Sequence, residues 1–176
     1  MNKEKVINSK KIKVNMPKAI KIGDPFYFEC YAHDKNKLNK LTYSRGFRGK
    51  DLWIGEIIIE HKEITYEDMK FEDVVYKMIF APSKEYLETY EEGCKYSTQK
   101  VKAIELGVDT ARYYIQVNKN SEVIYTGSDG YFGSVYEIYR GTKLEGLIIE
   151  MRVGDHISCS ELENTLRYLF DVQEEV

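Results

Sequence analysis

Two cysteine–histidine pairs are the residues of this chain best suited to hold a metal ion. Cys30 and His33 are three positions apart, and so are His156 and Cys159. Thiolate and imidazole groups at short spacing can complete a tetrahedral zinc site. If residues 26–33 form a strand, Cys30 and His33 point to opposite faces, so a turn or bulge must bring them together. A zinc-dependent or hydrolytic enzyme is therefore an alternative, and not the leading interpretation.

No catalytic motif accompanies these residues. The chain contains neither the G-x-S-x-G turn of the α/β-hydrolases nor the H-E-x-x-H helix of the zinc proteases. Its serines, cysteines, histidines and acids give many possible triads on paper, but nothing in their spacing fixes a mutual geometry. The sequence therefore favours a non-enzymatic protein without a cofactor.

Charged side chains supply two candidate binding surfaces. An anionic ligand could be held through charge-assisted hydrogen bonds by a basic set, which consists of Arg45, Arg48, Lys50 and Arg112. A basic protein surface could instead meet the acidic segment around Glu88 and Glu91. We expect one of the two to bind the partner, which is then either a small anionic ligand or a protein.

Residues 127–133 carry three glycines at G-x-x-G-x-x-G spacing, which raises the possibility of a phosphate-binding loop. Such a loop opens a helix, whose N-terminal amides hold the phosphate. Here Gly133 is followed by SVYEIYR, which alternates with period two and predicts a strand. The segment is therefore predicted to be a hairpin turn, with Asp129 and Tyr131 as exposed contacts for a ligand or partner.

Composition and charge bound the function classes. Residues 1–50 contain 13 lysines and arginines against four acids, a net charge of +9, and residues 51–176 contain 13 against 25, a net charge of −12. The basic half either marks an anionic partner or folds against the acidic remainder. No apolar stretch is long enough for a membrane helix or a signal peptide, and the three cysteines are odd in number. We expect a cytoplasmic protein that binds neither membrane nor nucleic acid.

The elements that must position these residues are mostly strands in one domain, residues 1–176. Period-two alternation predicts eight or nine strands, among them 11–15, 19–23, 26–33, 52–64 and 74–80, with the last four in successive hairpins. Two helices are predicted, one capped by Ser83 and one that begins with a capping box of Ser160 and Glu163. The fold class is α+β, a predominantly antiparallel sheet or partial barrel with about two packing helices.

Fifteen tyrosines fall on both faces of the predicted strands, so some must be exposed. Exposed tyrosine provides rigid, amphipathic contact area at protein interfaces. This favours an interaction surface and permits a homodimer.

Three short segments, KIGDPFYFE, ELGVDTARYY and GSDGYFGSVYEIY, resemble uncharacterised bacterial and phage β-proteins with G-D-P-x-Y, G-V-D and D-G-Y hairpin segments. The resemblance implies a phage or mobile-element source, where many small proteins inhibit host defences by binding. We therefore expect a non-enzymatic inhibitor of a bacterial defence system, acting by protein occlusion or ligand sequestration. An immunity-type protein that neutralises a toxin partner is a further alternative.

Overall fold

A computed structural model of the chain describes residues 3–22, 25–47, 53–91, 100–106, 124–126, 133–154, 158–170 and 172. The strands are β1 (Lys3–Asn15), β2 (Ala19–Ile22), β3 (Tyr43–Gly46), β4 (Ile54–Tyr66), β5 (Met69–Ala81), β6 (Lys100–Leu106), β7 (Ile124–Thr126), β8 (Gly133–Arg140) and β9 (Lys143–Gly154). The helices are α1 (Pro25–Cys30), α2 (Lys35–Leu41), α3 (Lys84–Glu91) and α4 (Cys159–Leu169).

Six strands form the main sheet, in the order β1-β4-β5-β9-β8-β6, and every neighbouring pair is antiparallel. A second sheet has the order β3-β2-β7, in which β2 pairs antiparallel with β3 and parallel with β7. Within the described residues the main sheet is open, with β1 and β6 at its edges. The predicted α+β class with a mostly antiparallel sheet is confirmed, with four short helices instead of about two.

The two faces of the main sheet are covered differently. One face, here called the core face, packs against the second sheet and α4 around Ile57, Met78 and Ile149, which are fully buried. The opposite face, here called the outer face, is covered at one end by α3, where Leu87 packs on Ile79. The layers follow from the alternation of β4 and β5, which places successive side chains on opposite faces.

The helix α1 replaces a predicted strand at residues 26–33. Aromatic residues favour strands, but Pro25 stands at the first helical position, where its fixed φ and missing N–H suit a helix. The backbone N–H of Tyr31 bonds to the carbonyl of Tyr27 at 3.0 Å, and the two rings lie 5.8 Å apart. The strand prediction was wrong because this local pairing outweighs β propensity.

The start of α4 also differs from its prediction. Ser158 is the N-cap, and its hydroxyl accepts from the backbone N–H of Glu161 at 3.2 Å. The predicted capping box began two residues later, and its Glu163 accepts instead from Arg167 at 2.8 Å, one turn along the helix. Leu162, Leu166 and Phe170 form an apolar stripe on this helix and are buried in the core.

The predicted hairpin series is correct only in part. Strands β8 and β9 form a hairpin that turns at Gly141, whose φ of +63° suits glycine. Strand β7 belongs to the second sheet, so a β7–β8 hairpin does not form. Gly133 begins a strand and not a helix, as predicted. None of the described helices is both long and apolar enough to cross a membrane.

Candidate functional site

The structure describes only part of the predicted binding set. Its side chains are described at Arg45 alone, and Glu88 and Glu91 are placed on α3 by their backbone. The other predicted contacts lie outside the described residues: Arg48, Lys50, Arg112, Asp129 and Tyr131.

The Arg45 guanidinium is bound to a buried carboxylate and does not extend freely into solvent. Its Nη1 atom donates to Oε2 of Glu137 at 2.8 Å, which links β3 of the second sheet to β8 of the main sheet. The hydroxyl of Tyr43 donates to Oε1 of the same carboxylate at 3.1 Å, and the hydroxyl of Tyr139 donates to Oε2. The Glu137 side chain is 3% exposed, so three donors satisfy a carboxylate inside the core.

The electrostatics of this Glu137 cluster follow from burial and from the carboxylate. Burial raises the pKa of the Tyr43 hydroxyl above its usual value, and the charge of Glu137 adds to the shift. The hydrogen bond to Glu137 raises the pKa of Tyr139. Burial lowers the pKa of Arg45, but Glu137, Tyr43 and Tyr139 together outweigh it and the net shift is upward. The two tyrosines and the arginine keep their protons, so the cluster is a fixed connection between sheets.

The alternative zinc site is only partly described. Cys30 ends α1 and is exposed, so it stands on a helix and not on the strand expected for it. His33 is exposed in the turn that follows, and Cys159 is buried in the first turn of α4. His156 lies outside the described residues. Among the residues described, no three His, Cys, Asp or Glu side chains are grouped to hold a metal ion.

A cavity of about 310 Å³ lies beside Cys159 on the core face, at the N-terminal end of α4. Its lining includes His61 and Glu72, whose Nε2 and Oε2 atoms are 3.4 Å apart. Burial raises the pKa of the Cys159 thiol, and the charge of Lys10 opposes the shift. A buried thiol with a raised pKa is a poor nucleophile, so this cavity does not support cysteine catalysis.

The largest exposed apolar feature is at the far end of β1, β4 and β5. Residues 3–8, 61–66 and 69–74 of these strands are here called the arm. Five of the six exposed large apolar side chains among the described residues belong to it, and they are Val6, Ile7, Tyr66, Met69 and Phe71. Their exposure runs from 47% to 67%. Single exposed apolar side chains are common on protein surfaces, but a group of them at one end of a sheet is not.

Most of these side chains share the outer face. The register pairs Tyr66 with Met69 and Ile64 with Phe71, so the four residues lie on one face of the hairpin. Ile64 is only 8% exposed, because its larger neighbours cover it. The result is an apolar surface with a packed base, here called the arm cluster, consisting of Val6, Ile64, Tyr66, Met69 and Phe71.

An ion-pair network lies on the outer face among the residues of the arm cluster, beside Val6 and Ile64. Glu4 accepts from Lys62 at 3.3 Å and lies 3.7 Å from Arg152, whose Nε atom is 3.5 Å from Asp73. The two cations and two carboxylates balance each other. Beyond them the outer face forms a depression of about 280 Å³ with Lys77 and Glu150 paired at 3.7 Å. Glu60 also lines this depression, so the surface beside the arm cluster carries no excess of positive charge.

The edge strand β1 carries unbalanced positive charge. Lys11 lies 3.6 Å from Glu56 on the outer face. Within the described part of the chain, Lys3, Lys5, Lys10 and Lys13 have no carboxylate within salt-bridge distance. The basic N-terminal charge is thus neutralised only in part by the acidic remainder.

Sequence reasoning missed the arm because it ended β4 at residue 64 and began β5 at residue 74. The strands run to Tyr66 and from Met69. The sequence does contain the pattern of a half-exposed hairpin. Ile64 and Tyr66, and then Met69 and Phe71, alternate with polar or charged residues on either side of the turn at Glu67 and Asp68.

Comparison of the chain with protein-family models, with curated proteins and with solved structures finds no match.

Proposed function

We propose that this chain is a non-enzymatic binding protein that acts by covering a surface of a protein partner with its arm. The observation that carries the proposal is the arm cluster, five large apolar side chains on one end of the outer face. Apolar patches of this kind, bordered by polar residues, are typical of protein interaction sites. Aromatic and methionine side chains such as Phe71, Tyr66 and Met69 are enriched in such contacts.

The charges around the cluster indicate the chemistry of the partner. The charges of Glu4, Lys62, Asp73 and Arg152 balance one another, so this network does not require an opposite charge on the partner. Burial of apolar surface is therefore the main driving force for contact on the outer face. Lys11 and Lys13 of β1 lie on the same outer face, further along the strand, and attract negative charge. The partner is therefore a protein with an apolar patch bordered by acidic residues. On this face the carboxylates of the arm, Glu4 and Asp73, are paired with Lys62 and Arg152, and its other acids lie at the turn and on the core face.

Sequestration of a small anionic ligand has less support. Arg45, the member of the basic set whose side chain is described, donates to Glu137, which also accepts from the hydroxyls of Tyr43 and Tyr139. An anion would have to displace a buried carboxylate that three donors already satisfy, which costs the hydrogen bonds of that carboxylate. Protein occlusion is the version we retain.

The experiment places the photo-crosslinking amino acid p-benzoylphenylalanine at position 71 or at position 168. Phe71 is on the arm, and Tyr168, on α4, is the exposed large apolar residue outside it among the residues that the structure describes. When the chain is irradiated in the cells that express it, we expect a second protein to be crosslinked to position 71 and none to position 168. The captured protein is then purified and its affinity measured by calorimetry. Phe71→Ser weakens binding at least ~10-fold, as loss of a central apolar contact does, while Tyr168→Ser does not.

Equal affinity of Phe71→Ser and the parent chain for the captured protein contradicts the proposal. A concentration-dependent dimer that dissociates in Phe71→Ser, seen by analytical ultracentrifugation, identifies a second copy as the occupant and likewise overturns it.

A component of a bacterial defence system is the partner class that the sequence resemblance suggests. Expressing the chain in strains that carry individual defence systems, and then infecting them with phage, tests that assignment. We expect restored plating in one strain with the parent chain and with Tyr168→Ser, and none with Phe71→Ser. Restoration by all three chains would separate the inhibition from the arm.

A further inference from the structure

The outer edge of β1 is the place where the main sheet can accept another strand. β1 is the terminal strand of that sheet, and residues 3–11 are all exposed. A bulge between Val6 and Asn8 interrupts its pairing with β4, and residues 8–13 follow in regular register. At the end of this stretch Val14 forms an isolated antiparallel bridge with Val172. The edge therefore already bonds one residue in the orientation that an added strand would take.

The side chains of this stretch select the charge of that strand. Lys11 and Lys13 stand on the outer face with Ser9, and Lys10 stands on the core face with Ile12. Within the described residues Lys10 and Lys13 have no carboxylate partner. A second copy that paired its own β1 here would place lysines beside lysines, which is unfavourable across strands. Lysines on an edge strand thus exclude self-pairing and leave the edge open to acidic chains.

We propose that residues 8–13 of β1 bind an extended acidic segment of the partner by antiparallel β-strand addition. The segment presents carboxylates at alternate positions to Lys11 and Lys13 and an apolar residue beside Ile12. Main-chain hydrogen bonds supply affinity in this binding mode, and the alternating side chains supply specificity. The inference rests on the proposed function, because it names the part of the partner that the β1 edge takes while the arm cluster takes its apolar patch.

The probe is an eight-residue peptide of alternating valine and glutamate, labelled with fluorescein, and the control peptide alternates valine and lysine. Fluorescence anisotropy with the full chain is expected to show binding of the glutamate peptide alone, weakening as salt rises. The double variant Lys11→Glu, Lys13→Glu weakens that binding at least ~10-fold and binds the lysine peptide instead. Lys143→Glu, a reversal of an exposed lysine at the β8–β9 turn, leaves it unchanged.

Two further measurements separate strand addition from plain charge attraction. Two further glutamate peptides carry N-methyl groups on alternate residues, one at the odd positions and one at the even positions. If the N–H groups of the peptide bond to β1, one of these peptides loses binding and the other keeps it. Hydrogen exchange of residues 8–13 slows in the complex for the same reason. Binding that survives both methylated registers, without slower exchange, overturns strand addition and leaves the proposed function intact.

Failure of the glutamate peptide to bind overturns this inference alone if the crosslinked partner still requires Phe71. If the peptide binds but the partner is indifferent to Phe71→Ser, the β1 edge stands and the arm proposal fails. The two proposals therefore fail on different measurements.

Discussion

The two ends of the β4–β5 hairpin have the same alternating sequence pattern and opposite surroundings. At the inner end Ile79 and Ala81, on the outer face, are fully buried beside Leu87 of α3. At the arm end Phe71 and Met69 are 47% and 67% exposed. A strand's pattern decides which side chains share a face, but only the layers packed on that face decide whether they are buried. The inner end thus serves folding, and the arm end is available for binding.

The Glu137 cluster, which joins the second sheet to the main sheet, is the interaction whose loss should cost most. Glu137→Leu leaves the Arg45 guanidinium without its carboxylate and the buried Tyr43 hydroxyl without its acceptor. Removing one partner of a buried ion pair costs about 3–5 kcal/mol of unfolding free energy, and the one-third exposure of Arg45 places this case at the lower end. Urea denaturation measures it. Glu137→Gln is the matched control for volume.

Gln fills the same space but presents an NH₂ group to three donors, so we expect it to recover little of the loss. Recovery of nearly all the stability by Glu137→Gln would show that shape, and not the carboxylate, holds the two sheets together.

Gly55 tests how closely the inner end is packed. A Cβ at this position would lie 2.5 and 2.6 Å from two carbons of the Phe80 ring. The ring is buried and packs against Phe170 at a centroid distance of 6.2 Å, so it cannot move freely. We expect Gly55→Ala to lower the free energy of unfolding by about 1–3 kcal/mol through overpacking. Gly46→Ala, where no atom lies within 4 Å, is the control, and an equal loss in both variants contradicts the packing argument.

Removing the hydroxyl from either of two buried tyrosines should change the free energy of unfolding less, and in opposite directions or not at all for the second. Tyr43 donates to Glu137, so Tyr43→Phe should cost about 1–2 kcal/mol of unfolding free energy. The Tyr76 hydroxyl is buried without a hydrogen-bond partner among the described residues. Tyr76→Phe should therefore leave stability unchanged or raise it. A loss above about 1 kcal/mol in Tyr76→Phe would reveal a hydrogen bond to that hydroxyl.

The same tyrosines make stability depend on alkaline pH. Burial raises the pKa of both hydroxyls in the folded chain above the value of 10.0 that they have when exposed. Above that pH the unfolded chain loses protons that the folded chain keeps, so stability is complete below about pH 10 and declines as pH rises further. Each tyrosine contributes a slope of about 1.4 kcal/mol per pH unit. Unfolding measured from pH 8 to 11.5 should show a shallower decline in Tyr76→Phe, and an unchanged slope contradicts the assignment.

The sequence predicted the layers better than the site. Strand alternation located β4, β5, β8 and β9, because period-two burial is a local property. The Glu137 cluster could not be predicted, because Tyr43 and Glu137 are 94 positions apart and meet only when the two sheets pack. Arg45 was predicted to hold an anionic ligand, and in the structure it donates to the internal carboxylate of Glu137. The pairing of β7 with β2 is equally nonlocal.

The arm should show the smallest effect on folding. Met69 is 67% exposed and lies in the last pair of the hairpin, so Met69→Ser removes little buried surface. We expect a change within about 0.5 kcal/mol in unfolding free energy, as at other surface positions. Met78→Ser, the same substitution at a fully buried position of the same strand, should cost several-fold more, because it opens a cavity and buries a hydroxyl. Differential scanning calorimetry of the two variants measures the contrast. A large loss in Met69→Ser would mean that the arm cluster is needed for folding, and its exposed side chains would then no longer indicate a surface kept for a partner.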